Sequence, residues 1–162
     1  MYRRILVPVD GSSTSARGLK EAIRLAKDQR ARLRLVHVIE EYVVLQSTGF
    51  DGTGFNGGDL IDVLTAEGKK IVAKAIALAR RAGVKADAAT FESFANRSAD
   101  CIIREAKKWH ADLIVMGTHG RRGVNRLVLG SDAEIVVRTS PVPVLLVRSP
   151  ERKARAGKKK VV

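Results

Sequence analysis

The stretch of the sequence most suited to binding chemistry is GTHGRRGVNRLVLGS, residues 117–131, which directly follows an apolar run. Gly117, Gly120 and Gly130 are spaced along a predicted loop, where backbone without a Cβ can approach a ligand closely. Ser131 opens a predicted helix, and the first N–H groups of a helix are unpaired and lie at the positive end of its dipole. This combination predicts a site for an anion such as a phosphate.

Other side chains of this stretch have two interpretations each. Arg121, Arg122 and Arg126 either reach a bound phosphate or form a solvated basic loop. Ser131 either faces the phosphate or acts as the helix N-cap, in which case Glu134 completes a capping box. The spacing fits neither the P-loop GxxxxGK[ST] nor the dinucleotide pattern GxGxxG, so these two kinds of phosphate site are excluded here.

A second candidate lies at the end of the first apolar run, where Asp10 is followed by a serine-rich turn. Its carboxylate can accept hydrogen bonds from a ribose or a base, or help to hold a metal through water. Alternatively, Asp10 forms an Asx turn that leads into a helix capped by Ser12 or Ser13. The residues alone leave both interpretations open.

The histidines and the single cysteine predict no catalytic or metal centre. His37 lies within an apolar run and His110 at a helix end, where structural roles are expected, so only His119 lies in a candidate site. No second ligand stands near His119 at the spacing of a zinc site. Cys101 is the only cysteine, which excludes an intrachain disulfide and fits a small residue on a helix flank. We predict no catalytic residue.

These candidates must be positioned by alternating strands and helices. Apolar runs predict five strands, and stripes with spacings of three and four predict four helices between them. The third strand is weaker and alternating, which suggests a sheet edge, and the glycine-rich segment Gln46–Gly58 is a predicted loop. Gly83 is expected to end the second helix. The predicted strands are Arg3–Val9, Arg32–Glu40, Val84–Glu92, Asp112–Gly117 and Val142–Val147; the helices start near Ser13, Leu60, Ala99 and Ser131.

This alternation predicts an α/β fold, an open doubly wound five-stranded parallel sheet with helices on both faces. Ligands bind to such sheets outside the carboxyl ends of the strands, where the winding direction reverses. The loops that follow the first, second and fourth strands should therefore meet at one site. Both candidate stretches, around Asp10 and in residues 117–131, lie on these loops.

Length and composition predict one domain with a basic tail. The chain has 162 residues and a formal net charge of +13, a field that attracts anions. No segment resembles a signal peptide or a membrane span, so we expect a soluble cytoplasmic protein with no membrane partner. Six of the twelve residues in Glu151–Val162 are Lys or Arg, and the hydrophobic periodicity has ended there.

The glycine-rich stretch resembles the pattern G-x2-G-x9-G-[ST] of the nucleotide-binding branch of the universal stress protein family. The segments ILVPVDGS, DLIVMGTHG and SPVPVLLV extend the resemblance over residues 1–148, which we take as the nucleotide-binding domain, with a basic tail at 149–162. The resemblance implies the strand order 3-2-1-4-5 and binding of ATP, ADP or AMP, with or without Mg²⁺. It also implies a homodimer through the strand Val142–Val147. The residues that it implies as nucleotide contacts are Pro8, Val9, Asp10, Val38, Met116, Gly117, His119, Gly120, Gly130, Ser131, Asp132 and Ala133.

The leading hypothesis is accordingly a stress-response protein that binds ATP and acts as a sensor or regulatory module. Slow ATP hydrolysis, or phosphate transfer to Ser131 or a neighbouring hydroxyl, is the enzymatic alternative. A third alternative is unspecific binding of nucleic acid or acidic partners by the tail, through Lys158, Lys159 and Lys160.

Overall fold

The predicted alternation of strands and helices is present in the structure, a computed structural model that describes residues 1–40, 57–93, 97–120 and 129–148. Its elements, in chain order, are β1 (Arg4–Pro8), α1 (Ser13–Gln29), β2 (Arg32–Glu40), α2 (Gly57–Arg81), β3 (Ala86–Ser93), α3 (Ser98–Lys108), β4 (Leu113–Gly117), α4 (Ser131–Thr139) and β5 (Val144–Val147).

The five strands form one parallel sheet in the order β3-β2-β1-β4-β5, as expected from the sequence. Helices α1 and α2 pack on one face around Leu19 and Ala75, whereas α3 and α4 pack on the other around Ile102 and Val136. The winding direction reverses between β1 and β4, which are neighbours in the sheet but not in the chain. The carboxyl ends of β1 and β4 therefore border the switch point.

The continuous apolar runs of the central strands follow from burial on both faces. Ile5, Leu6 and Val7 of β1 are completely buried, and all five residues of β4 are buried. Alternate residues of β1 serve opposite cores, because Ile5 and Val7 face α1 and α2 whereas Leu6 faces α3 and α4. The weaker run of β3 lies at the sheet edge, as predicted.

Helix ends follow the local signals with small shifts. Ser12, not Ser13, is the N-cap of α1 and accepts a hydrogen bond from the N–H of Ser15 at 3.1 Å. Gly83 follows α2 with φ +77°, the left-handed conformation that the predicted helix stop requires. β3 and β5 each begin two residues later than predicted, at Ala86 and Val144.

The largest difference in boundaries concerns α2. The helix begins at Gly57, so the last residues of the predicted loop Gln46–Gly58 are helical; the rest of that loop lies outside the described residues. Glycine is a poor helix former, which is why its two copies here predicted a loop. Among the described parts of the chain, no helix combines the length and apolarity needed to cross a bilayer.

Strand β4 and helix α1 approach each other most closely at Gly117. A Cβ on Gly117 would lie 2.8 Å from Cγ2 and 2.9 Å from the carbonyl carbon of Thr14, and Thr14 is itself buried. The contact with backbone cannot be relieved by turning a side chain.

We therefore expect Gly117→Ala to lower the free energy of unfolding by about 2 kcal/mol through overpacking. Urea unfolding followed by circular dichroism measures this change. Gly83→Ala is the matched control for the loss of a glycine. No atom lies within 4 Å of its Cβ position, so the new alanine would be strained only by the positive φ. An unchanged midpoint for Gly117→Ala would contradict the close contact with α1.

Candidate functional site

The main candidate site is a cavity of about 570 Å³ at the carboxyl ends of β1, β2 and β4, at the switch point of the sheet. This volume lies within the range of small-molecule sites, about 300–1,000 Å³. All twelve residues for which the sequence predicts nucleotide contacts line it. They come from the end of β1 and the loop after it, from β2, from the end of β4 and the loop after it, and from the start of α4. The fold brings them together.

Asp10 forms the predicted turn and also lines the cavity. Its Oδ1 accepts a hydrogen bond from the Ser12 N–H at 2.8 Å, which is the predicted Asx turn. Ser15 supports the turn, since its hydroxyl accepts from the Asp10 N–H at 3.2 Å and donates to the Pro8 carbonyl at 3.3 Å. The other oxygen, Oδ2, lies 3.0 Å from the Cβ position of Gly120, beside the cavity.

Helix α4 begins differently from the predicted capping box. Its N-cap is Gly130, whose N–H donates to the Thr118 carbonyl at 2.9 Å, and Ser131 is the first helical residue. The predicted box of Ser131 and Glu134 is therefore wrong, because this anchoring of Gly130 starts the helix one residue earlier. The Glu134 N–H donates to the Gly130 carbonyl at 2.9 Å, and its side chain lies 3.7 Å from Arg138.

The first turn of α4 borders the cavity, and its Asp132 also contacts α3. Ser131, Asp132 and Ala133 all line the cavity, and N–H groups in a first helical turn have no partner within the helix. The Asp132 Oδ1 accepts a hydrogen bond from the N–H of Ala99 at 3.4 Å. Arg97, the N-cap residue of α3, makes no side-chain hydrogen bond to the start of that helix. Asp132, on the neighbouring helix α4, therefore caps α3.

His119 is held at the rim of the cavity by the preceding residue. Its Nδ1 lies 2.8 Å from the hydroxyl of Thr118, and Thr118 is buried. This contact fixes the orientation of the imidazole ring, so His119 presents a defined polar surface to the cavity. Hydrogen bonding at one ring nitrogen commonly sets the role of the other.

His37 is a buried structural histidine that also lines the cavity. Its Nδ1 donates to the Val9 carbonyl at 2.7 Å, because a carbonyl can only accept, and the residue is 4% exposed. The ring lies against α2 at Gly68, where a Cβ would be 2.8 Å from His37 Cδ2. His37 and Gly68 together set how closely α2 packs over the end of β2.

Sequence reasoning missed nine lining residues. Val36 lies two positions before Val38 on the same strand face, so the period of two could have identified it. The α2 and α3 residues carry no such signal, because their distance from the cavity depends on helix placement. The nine are Ser15, Val36, His37, Ile39, Leu64, Glu67, Gly68, Ser98 and Ile102.

The arrangement suits a ligand with a flat apolar part, hydroxyl groups and an anionic end. Val36, Ile102 and Met116 belong to one apolar cluster and form a wall, with Val38 packed against it. Asp10 supplies a carboxylate acceptor, and the first turn of α4 supplies backbone N–H groups. Arg121, Arg122 and Arg126, the candidate phosphate contacts, lie outside the described residues. In the part of the chain that is described, no three His, Cys, Asp or Glu side chains form a group that could hold a metal.

Comparison with protein families gives one match that covers nearly the whole chain. The model of the universal stress protein family matches residues 1–148. Universal stress protein MJ0531 of Methanocaldococcus jannaschii is 35% identical over 153 residues, which cover 94% of this chain and 85% of that protein. Universal stress protein YxiE of Bacillus subtilis is 37% identical over 153 residues, with coverage of 91% and 100%.

Solved structures share the fold. Hypothetical protein MJ0577 superposes with a TM-score of 0.78 at 27% identity, covering 93% of this chain and 99% of that one. A universal stress protein of Archaeoglobus fulgidus in complex with dAMP has a TM-score of 0.66 at 22% identity, covering 91% and 98%. Another universal stress protein, in complex with cAMP, has a TM-score of 0.65 at 24% identity, covering 92% and 99%.

Proposed function

The chain belongs to the universal stress protein family, and from this membership we propose that it binds ATP and acts as a sensor or regulatory module in a stress response. One observation carries the proposal: the residues expected to contact a nucleotide, which are far apart in the sequence, line a single cavity at the switch point. The dAMP and cAMP complexes of two proteins with the same fold support an adenine nucleotide as the ligand class.

The chemistry of the cavity fits such a nucleotide. We propose that the apolar wall with Val38 and Met116 contacts the adenine and that Asp10 accepts from the ribose hydroxyls. Gly120 fits beside this carboxylate because a Cβ there would stand 3.0 Å from the Asp10 Oδ2. The N–H groups that begin α4, at Ser131 and Asp132, would hold the phosphates, where the helix dipole favours negative charge. ADP and AMP would use the same contacts, with or without Mg²⁺.

Addition of ATP with Mg²⁺ is expected to stabilise the folded protein, because a ligand that binds only the native state shifts the unfolding equilibrium. At about a hundredfold excess over Kd the gain is about 2.7 kcal/mol. Thermal unfolding with ATP, ADP and AMP measures it, and inorganic phosphate at the same ionic strength is the control. Mass spectrometry of the ligand released by denaturing the purified protein identifies the natural occupant. Absence of both a shift and a copurified nucleotide would refute the proposal.

Slow ATP hydrolysis or autophosphorylation remains the second candidate, because of the position of Ser131. Its side chain is exposed at the first position of α4 and lines the cavity, and the helix is capped by Gly130. If the chain transfers phosphate, radiolabel from ATP should be lost in Ser131→Ala, and hydrolysis should fall in Asp10→Ala and Gly130→Ala. Equal hydrolysis in all variants would identify a contaminating ATPase.

We also propose that two copies associate through β5. Among the strands of the described residues this strand pairs only with β4, and its Leu145 is 38% exposed. A lone apolar edge strand invites pairing with another chain.

Sedimentation equilibrium is therefore expected to give twice the mass of one chain, and Leu145→Lys is expected to give a monomer, since charge on an edge strand opposes pairing. Val63→Lys is the matched control, because Val63 is an exposed valine on α2, away from β5. A monomeric unmodified chain would contradict this proposal. The expected cytoplasmic location and the tail, with Lys158 to Lys160, stay predictions; the tail lies outside the described residues.

A further inference from the structure

The edge of the sheet opposite the cavity carries a dense group of exposed cations. In a parallel α/β sheet every strand begins at this edge and every helix ends there, so residues distant in sequence are brought side by side. We call this surface the amino-end face. Its exposed basic residues are Arg3, Arg4, Lys27, Arg30, Arg32, Arg80, Arg81, Lys85, Lys107, Lys108 and Arg138.

Part of the amino-end face is a row of like charges on adjacent strands. Arg4 of β1 is paired with Arg32 of β2, and Lys85 directly precedes the residue paired with Leu33. Neighbouring strands lie about 4.8 Å apart, so these three residues stand in successive positions across the sheet. Like charges placed side by side on strands are destabilising. The arrangement therefore costs stability unless something compensates for it.

Acidic side chains offset only part of the positive charge of the amino-end face. Arg32 lies 3.7 Å from Asp87, and both side chains are substantially exposed. Asp112 accepts hydrogen bonds from the backbone N–H groups of Arg3 and Arg4, at 2.7 Å for Arg3 and 3.1 Å for Arg4. Glu134 lies 3.7 Å from Arg138, and Asp28 is in the last turn of α1.

Several cations of this face have no acid within ion-pair distance. Among the described residues, no ion pair within 4.0 Å includes Arg3, Arg30, Lys85, Lys107 or Lys108. Their charges are therefore available to a partner.

Helix dipoles account for only some of these cations. A positive charge in the last turn of a helix complements the negative end of the helix dipole. The last turns of α1, α2 and α3 contain Lys27, Arg80, Arg81, Lys107 and Lys108. Arg30, the C-cap of α1, and Arg138, in the last turn of α4, are accounted for in the same way, and Arg4 donates to the carbonyl of Trp109, the C-cap of α3, at 3.1 Å. The remaining residues precede or begin strands and gain nothing from a dipole, since strand dipoles nearly cancel. Arg3, Arg32 and Lys85 lie at no helix end and need another explanation.

We propose that the amino-end face binds the phosphate backbone of double-stranded nucleic acid, without sequence preference. Arginine forms the planar fork that matches phosphate oxygens, and seven of the eleven cations are arginines. Duplex DNA carries about one negative charge per 1.7 Å, which suits a row of fixed cations. Within the described residues of this face no aromatic side chain is fully exposed for stacking, since Tyr2 and Trp109 are both half-buried.

An anionic membrane fits this surface less well. Peripheral membrane binding usually adds apolar side chains that enter the headgroup region. Of the large exposed apolar residues in the described part of the chain, only Met1 and Val137, in the last turn of α4, lie at this edge. The surface is also separate from the cavity, which opens at the other ends of the strands. The inference therefore does not depend on nucleotide binding.

The test compares two triple variants of the full chain that lose equal charge. Arg3→Gln/Lys85→Gln/Lys107→Gln removes cations of the amino-end face. The control, Arg17→Gln/Lys69→Gln/Lys74→Gln, removes one Arg and two Lys from exposed positions on α1 and α2. Fluorescence anisotropy with a short mixed-sequence DNA duplex gives the affinity at several salt concentrations. The tail is present in every protein, so differences between the triples report on the face alone.

The face variant should lose about 0.9 in the slope of log K against log salt for each phosphate contact removed, about 2.7 in total. Its affinity at low salt should fall at least about tenfold, and the control should stay within about twofold of the unmodified chain. Equal losses in both triples, or binding of phosphatidylserine vesicles without binding of the duplex, would overturn the proposal. An unchanged thermal midpoint of both triples shows that the fold is intact. ATP binding is scored separately, so its failure would not count against the face.

Discussion

Replacing Arg34 by methionine is expected to lower the free energy of unfolding by about 3–5 kcal/mol, because it leaves a buried carboxylate without its cation. Arg34 lies on β2, and both its Nε and a terminal nitrogen are 2.8 Å from Oε1 of Glu105 on α3. Its other terminal nitrogen is 3.0 Å from Oδ1 of Asp87 on β3. Glu105 is 2% exposed, so water cannot replace the lost guanidinium.

The charge of Arg34 is stable in this position. Burial alone would lower the pKa of the Arg34 guanidinium, but the hydrogen bonds to Asp87 and Glu105 outweigh it, so the pKa is raised above its ordinary value. The site therefore contains a fixed cation that joins α3 to two strands. Ile102, one turn before Glu105, lines the cavity, and the network thus also holds one wall of the candidate site.

Arg32→Met is the matched control for Arg34→Met. Arg32 is on the same strand and lies 3.7 Å from the same Asp87, but its side chain is 63% exposed. An exposed ion pair contributes about 0–1 kcal/mol, so its loss should be small. The double variant Arg34→Met/Glu105→Leu should recover most of the stability, because both charges are then absent. Urea unfolding of the variants measures these differences, and equal losses in Arg32→Met and Arg34→Met would contradict the role of burial.

Most of the fold could be predicted because its signals are local. Continuous apolar runs such as the one in Arg3–Val9 indicate strands covered on both faces, and the glycine at position 83 stops α2 through its own backbone preference. The start of α2 could not be predicted in this way. Its first residue is Gly57, and local propensity disfavours helix there, so packing and the rest of a 25-residue helix override it.

The glycines of the stretch after β4 illustrate a second limit of sequence reasoning. Their spacing was interpreted as room for an anion, but each also has a protein neighbour. Gly117 faces Thr14, Gly120 faces Asp10, and Gly130 stands 3.3 Å from the Thr118 carbonyl at its Cβ position. A sequence pattern shows where a side chain is excluded but not which atom excludes it. Close packing of the site's own elements therefore accounts for part of the pattern.

Contacts between distant elements account for the capping role of Asp132 and the position of His37, which the sequence did not predict. Asp132 caps α3 through the N–H of Ala99, and His37 sets the approach of α2 through Gly68. Both contacts depend on helix placement, which no local period encodes. Asp10 was predicted with two roles because each follows from a local sequence feature. These features are the serine-rich turn after Asp10 and the glycine-rich stretch, residues 117–131, that was expected to face it.

The second large effect is expected at Asp10, where asparagine should weaken ATP binding by about 1.5–3 kcal/mol, between about tenfold and a hundredfold. Asparagine retains an oxygen that can accept from the Ser12 N–H, which Asp10 Oδ1 does at 2.8 Å, so the turn should survive. The second oxygen becomes an NH₂ group, which donates and cannot accept from ribose hydroxyls. Isothermal titration calorimetry gives the two affinities, and thermal unfolding without ligand shows whether the fold has changed.

Ser12→Ala separates this effect from damage to the turn. It removes the side chain that caps α1 through the Ser15 N–H, while the carboxylate of Asp10 stays in place. Loss of an N-cap costs about 1 kcal/mol of stability, so Ser12→Ala should unfold earlier yet bind ATP within about twofold of the unmodified chain. Asp10→Asn should show the opposite pattern, with weaker binding at nearly unchanged stability. If Asp10→Asn retained its affinity, Asp10 would be a turn residue only, and the ribose would have to be held by other groups of the cavity.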